Sequence, residues 1–222
     1  MSLPQWASSR KPRRLGLWAP FVVTLIGVVS LGATWFWMRG EIERRLEAAR
    51  TVAVSSGWTM DWDRYSISGF PFRLDVTLDN PRVREPSGWG LAAPSLKAEA
   101  FVFSPGHWVA VAPEGVTVMR HRGGPLRVDA KVLRASVSEA SKAPPRLSIE
   151  GLGLTFVTSP GTAPFLLRSA TEFHLHMKSG PDDQAAAYVE LDGAMAQLDG
   201  LIGGIAGNRP ATLIIDGIYS KA

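Results

Sequence analysis

Between Arg14 and Arg39 the chain runs for 24 residues, Leu15 to Met38, without a charged side chain. No other feature restricts the fold as strongly. A helix rising about 1.5 Å per residue covers about 36 Å over that length, enough to cross a hydrocarbon layer of roughly 30 Å. Inside lipid every backbone N–H and C=O must be satisfied within the segment, and a helix achieves this alone. Trp18 stands near one end of the run and Trp35 and Trp37 near the other, where amphipathic rings favour the headgroup layer. Pro20 falls in the first turn, where its missing N–H is tolerated. A cleaved signal peptide has a shorter apolar core, about 7–15 residues, followed by small residues. Here the run is longer and leaves through Thr34-Trp35-Phe36-Trp37-Met38. A transmembrane helix is therefore expected at 15–38.

The charge distribution gives that helix a direction. The chain holds 24 basic and 20 acidic residues, and its net charge is +4. Arg10, Lys11, Arg13 and Arg14 precede the uncharged run, and no acidic residue occurs before Glu41, which leaves 20 of each sign in the rest. The whole excess lies in a basic tail, residues 1–14. Positive residues flanking a span stay on the cytoplasmic side, so the domain after the helix is expected on the far side. A basic field spread over a domain, as nucleic acid requires, is absent, and no nucleic-acid partner is expected. The chain has no cysteine, which removes disulfides, thiolate metal ligands and a Cys nucleophile.

Residues 39–56 continue as a membrane-proximal helix, with Ile42, Leu46, Ala49 and Ala53 on one face and Gly57 as its stop. Beyond Gly57 the apolar period changes from 3.6 to 2. Phe70, Phe72, Leu74, Val76 and Leu78 alternate with Arg73, Asp75, Thr77 and Asp79, the pattern of a strand with one buried and one wet face. Leu96 to Val102, Leu126 to Val132, Leu147 to Val157, Leu166 to His176, Tyr188 to Leu191 and Thr212 to Ile218 extend the series. Trp108–Val111 and Val116–Met119, separated by Pro113-Glu114-Gly115, have hairpin-like spacing. Residues 193–206 suit a short helix holding Met195, Leu198, Leu201 and Ile202. The fold expected for residues 57–222 is mainly β: a curved antiparallel sheet, sandwich or open barrel.

The stretch Ser68-Gly69-Phe70-Pro71-Phe72-Arg73-Leu74-Asp75-Val76, followed by Asn80-Pro81-Arg82-Val83, resembles an uncharacterised family of alphaproteobacterial envelope proteins, domain of unknown function 2125. Trp89, the segment Ala92 to Phe103 and Ser104-Pro105-Gly106-His107 fit the same pattern. The resemblance is strongest over residues 15–140. It implies a single-pass protein of the bacterial inner membrane, with a cytoplasmic N-terminus and a periplasmic domain. The same strand and anchor are loosely similar to AsmA-like proteins that handle lipids along a curved sheet. That likeness implies a role in binding or guiding lipid.

Chemistry-bearing patterns are sparse. Glu172, His174 and His176 project from one face of a strand, but no second ligand motif such as H-E-x-x-H accompanies them, and they read as a solvated polar face. No G-x-S-x-G elbow is present, and Gly200 to Gly207 lacks the Gly-Lys-Ser/Thr of a phosphate loop. The expectation is a protein that is not an enzyme, with no cofactor and no metal. Phe70, Phe72, Leu74, Val76, Leu96 and Val102 are the residues expected to shield an acyl chain. The alternative is an accessory subunit that pairs with an envelope protein through an exposed sheet edge.

Overall fold

The computed structural model describes residues 15–139, 145–180, 184–197 and 209–220. The basic residues Arg10, Lys11, Arg13 and Arg14, the glycine-rich stretch 200–207 and the expected helical positions Leu198, Leu201 and Ile202 lie outside them. A single helix, α1 (Leu15–Ser55), opens the structure. The two helical segments read from the sequence form one unbroken rod of 41 residues, in which Pro20 is the sixth residue and lies inside the helix rather than in its first turn. Among the described residues it is the one helix long and apolar enough to cross a membrane. Gly57 adopts φ +78°, and the N–H groups of Gly57 and Trp58 donate to Val54 and Ala53 at 3.0 and 2.9 Å, closing its last turn.

Among the described residues fourteen strands follow: β1 (Thr59–Asp61), β2 (Arg64–Ser68), β3 (Arg73–Asp79), β4 (Arg82–Arg84), β5 (Gly90–Ala92), β6 (Ser95–Phe101) and β7 (Ser104–Val111), then β8 (Val116–Arg120), β9 (Gly124–Asp129), β10 (Val132–Ser138), β11 (Arg146–Thr158), β12 (Leu167–Ser179), β13 (Gln184–Ala196) and β14 (Ala211–Ser220). All belong to one antiparallel sheet that curls into a half-barrel. Their pairing reveals a simpler plan. β3 pairs with β2 and β6, while β4 pairs with β1 and β5; β10 and β9 both lie along β11, paired with its first and last parts. Each of the couples β1/β2, β3/β4, β5/β6, β7/β8 and β9/β10 is thus one long strand interrupted midway. With β11 to β14 they make a nine-strand meander. The interruptions at Trp62-Asp63, Asn80-Pro81, Ala93-Pro94, Ala112–Gly115 and Ala130-Lys131 line up as a crease. β11 and β13 cross it at Gly153 and Gly193, both with φ near +60°.

Residues directly opposite on neighbouring antiparallel strands share a face. One row runs Ile67, Val76, Ala98, Ala110, Ala135, Ile149, Leu175, Val189 and Ile215, apolar on all nine strands. The adjacent row on the other face includes Ser66, Thr77, Lys97, Arg134, Glu150, His174 and Glu190. The half-barrel therefore has an apolar inner face and a largely polar outer one. Across the crease the apolar phase is preserved by odd spacings. Ala170 and Phe173, three apart on β12, belong to one hydrophobic cluster with Leu126, Val128 and Leu154. Strict alternation would have put them on opposite faces.

Several expectations change. β3 begins at Arg73, so Phe70 and Phe72 lie in the β2–β3 turn rather than on the strand, and the Phe70–Pro71 peptide bond there is cis. Gly69, at φ +94°, lets Arg73 N–H donate to its carbonyl at 2.8 Å; a Cβ at Gly69 would stand 2.8 Å from the Arg73 carbonyl oxygen. β7 and β8 are not hairpin partners. β7 pairs with β6 and β10, β8 with β5 and β9, and Pro113 to Gly115 form a step within one long strand. Met195 lies on β13, not on a helix. Ala49 is exposed, and the helix stripe that meets the sheet is Leu31, Trp35, Met38, Ile42 and Leu46.

Candidate functional site

That stripe packs on the inner face around Ile67, Leu74, Val76 and Val102. Leu74 is completely buried and Trp35 nearly so. The indole Nε1–H of Trp35 donates to the Arg73 carbonyl at 2.7 Å, pinning the helix to the first residue of β3. The rings of Trp35 and Phe70 meet edge to face at 5.4 Å. α1 and the sheet do not close on one another along their full length. Between them remains a cavity of about 770 Å³, walled by Met38, Ile42 and Leu46 of α1 and by Leu74, Val76, Leu78, Leu96, Ala98 and Trp108 of β3, β6 and β7. Its volume lies in the range of about 300–1,000 Å³ usual for small-ligand sites. Among the described residues the polar side chains of its lining are Glu41, Arg45 and Glu139, and Arg45 Nε donates to Glu41 at 2.7 Å.

The six residues expected to contact an acyl chain separate into three groups. Leu74, Val76 and Leu96 line the cavity. Val102 is buried in the cluster beneath α1. Phe70 and Phe72 stand outside, more than half exposed, at the tip of the β2–β3 turn. The helix wall and Trp108 are not among the residues expected from the sequence. The wall had a signal: apolar residues at 31, 35, 38, 42 and 46 follow spacings of 4, 3, 4 and 4, which ignore the end of the uncharged run. Trp108 had none, because its partners come from strands far away in sequence.

The outer face carries a series of ion pairs. Arg73 bridges Asp75 and Glu99, and hydrogen bonding to Asp75, then the charges of Asp75 and Glu99, hold its guanidinium above its ordinary value. Arg134 pairs with Glu150 at 2.6 Å. His176 Nδ1 lies 2.9 Å from Ser148 Oγ, and His174 Nε2 lies 3.3 Å from Glu172. Such solvent-exposed pairs add little to the stability of a fold, because water and salt screen them. Among the described residues no group of three His, Asp or Glu side chains is arranged to hold a metal ion.

The molecule is thus of a definite class: a helix long and apolar enough to cross a membrane, joined without interruption to an antiparallel half-barrel that it partly fills. A family model described as uncharacterized protein conserved in bacteria (DUF2125) matches residues 35–217, and the chain belongs to that family. The match reaches well past residue 140, and it covers every residue that lines the cavity. No curated protein and no solved structure matches the chain.

Proposed function

We propose that the protein is a single-pass anchored component of the bacterial envelope that holds lipid acyl chains between its helix and its sheet, without catalysing a reaction on them. Residues 15–38 form the span, the tail with Arg10, Lys11, Arg13 and Arg14 stays in the cytoplasm, and the half-barrel is periplasmic. The observation that carries the reading is the cavity under α1. Its walls are hydrocarbon on both sides, from Ile42 and Leu46 to Leu78 and Trp108, and among the described residues its polar groups are few. An apolar chain entering it replaces water against those side chains at roughly 25 cal/mol per Å². The inner apolar row continues past the helix through Ala135, Ile149 and Leu175, giving a longer chain a surface to follow. The apolar inner face also parallels the AsmA-like manner of handling lipid, an analogy of architecture alone.

The test is photocrosslinking with a phospholipid carrying a diazirine in its acyl chain, on the full-length protein in membranes. Wild type is expected to be labelled in the peptides holding Leu74 to Leu78 and Leu96 to Ala98. Ala98→Trp, which fills the cavity, should lose most of that labelling with its folding intact. Labelling confined to residues 15–38 in both proteins would refute the lipid role.

A second reading rests on β14. Among the described residues it pairs only with β13, and Leu213, Ile214, Ile215 and Ile218 are exposed on it. An unpaired apolar edge is a template for another strand. On this reading the protein is an accessory subunit, and a photoreactive residue at Ile214 should capture a single protein partner in intact cells. Capture of lipid alone at that position would eliminate it.

A further inference from the structure

We infer that two hairpin tips of the half-barrel, Phe70-Pro71-Phe72 and Phe101-Val102-Phe103, are a second membrane-contacting site, seated in the outer interfacial layer of the bilayer that α1 crosses. Both tips lie at the same end of the sheet, with the Phe72 and Phe103 rings 6.3 Å apart. Phe70, Phe72, Phe101 and Phe103 are 56%, 53%, 60% and 72% exposed, and Phe36 of α1, whose ring lies 5.8 Å from that of Phe70, is 61% exposed. Five large aromatic side chains exposed at one end of a domain are costly in water. Aromatic rings favour the membrane–water interface.

The identity of the occupant follows from the helix. Phe70 packs against Gly32, its ring 3.8 Å from where a Cβ would stand, and against Trp35 and Phe36. Those positions belong to the uncharged run that ends at Met38. At about 1.5 Å per residue, Gly32 lies about 9 Å inside that end, so a bilayer enclosing the run reaches the tip that touches it. The first charged side chains near this level, Arg39 and Arg73, belong to ion pairs with Glu43 and with Asp75 and Glu99. The cavity is walled by Met38, Trp37 and Pro105 close to the same tips, so a chain leaving the bilayer beside them would meet the groove without crossing bulk water. This inference rests on reading α1 as a span, but not on the groove holding lipid.

The absence of cysteine makes a labelling test clean. Single variants Phe72→Cys, Phe103→Cys and Ser104→Cys, the last keeping every phenylalanine, are labelled with an environment-sensitive fluorophore in full-length protein reconstituted into phosphatidylcholine–phosphatidylglycerol vesicles. Val28→Cys marks the span. Arg122→Cys marks the opposite end of the sheet, about 40 Å away at roughly 3.3 Å per strand residue. Phospholipids with a nitroxide high on the acyl chain should remove most emission from labels at 72, 103 and 104 and leave the label at 122 unchanged. Iodide in the aqueous phase should do the reverse. If iodide quenches labels at 72, 103 and 104 as strongly as at 122, while a nitroxide near the bilayer centre still quenches the label at 28, the tips stand clear of the membrane and the inference fails. Loss of lipid quenching at 28 as well would overturn the span and the inference with it.

Discussion

Leu74→Asp is expected to abolish the folded domain. Among the described residues Leu74 is the one large side chain with no exposure at all, and it sits where β3 meets the helix. Its neighbours in the cluster are Trp35, Met38, Ile67, Val76 and Val102, which supply no hydrogen-bonding side chain to a carboxylate apart from the Trp35 N–H. That N–H is already committed to the Arg73 carbonyl. Truncation to alanine would remove packing worth about 2–5 kcal/mol. Aspartate adds an uncompensated charge or a neutralised acid without partners, several kcal/mol more. The total is comparable with the whole stability of a domain, about 5–15 kcal/mol. Limited proteolysis of membranes should show the variant reduced to a protected fragment of α1 while wild type survives. Asp75→Leu, next in sequence but on the outer face, should lose only the exposed pair with Arg73. Equal protease resistance of Leu74→Asp and wild type would mean that α1 does not pack on β3.

Much of this architecture was legible residue by residue, and the misreadings share a cause. The alternation from Arg73 to Asp79 is visible because one strand there keeps a single phase, with Leu74, Val76 and Leu78 inward. The extension of that alternation to Phe70 and Phe72 was false: their spacing matches the strand, yet a turn holds them outside it. Alternation records parity and not backbone direction. The crease defeated a local reading for the same reason. At Pro113-Glu114-Gly115 a break between two apolar runs resembles a hairpin, whereas the pairing shows a step in a continuing strand. Distinguishing the two requires knowing the partners, which lie on β5, β6, β9 and β10. β13 was underestimated because Ala185, Ala186 and Ala187 erase the contrast between faces and Gly193 shifts the phase. The groove needed both a helix stripe and a strand face. Each was written in the sequence, but their meeting was not.

The crease makes a second large prediction, and glycine is what permits it. Gly115 adopts φ +73°, and a Cβ there would lie 2.4 Å from the Val128 carbonyl oxygen and 3.2 Å from the Asp129 Cα. Both obstacles are backbone of the neighbouring strand, held by the pairing of Val116 with Val128, so neither yields as a flexible side chain would. Gly161 provides the matched control. It has nearly the same backbone, φ +79°, but nothing lies within 4 Å of its absent Cβ. Gly161→Ala should therefore cost only the left-handed strain, about 1–2 kcal/mol. Gly115→Ala should cost that strain and also force β8 and β9 apart, for a total of roughly 3–5 kcal/mol. In thermal unfolding the difference corresponds to a Tm lower by about 5–10 °C for Gly115→Ala than for Gly161→Ala. Because β8 and β9 bound the cluster of Leu126, Val128 and Leu154, hydrogen exchange in Gly115→Ala should accelerate first at the amides of β8 and β9. Equal melting of the two variants would show that the step at Ala112–Gly115 is compliant, so that the close approach of Gly115 to β9 is not needed to bend the sheet.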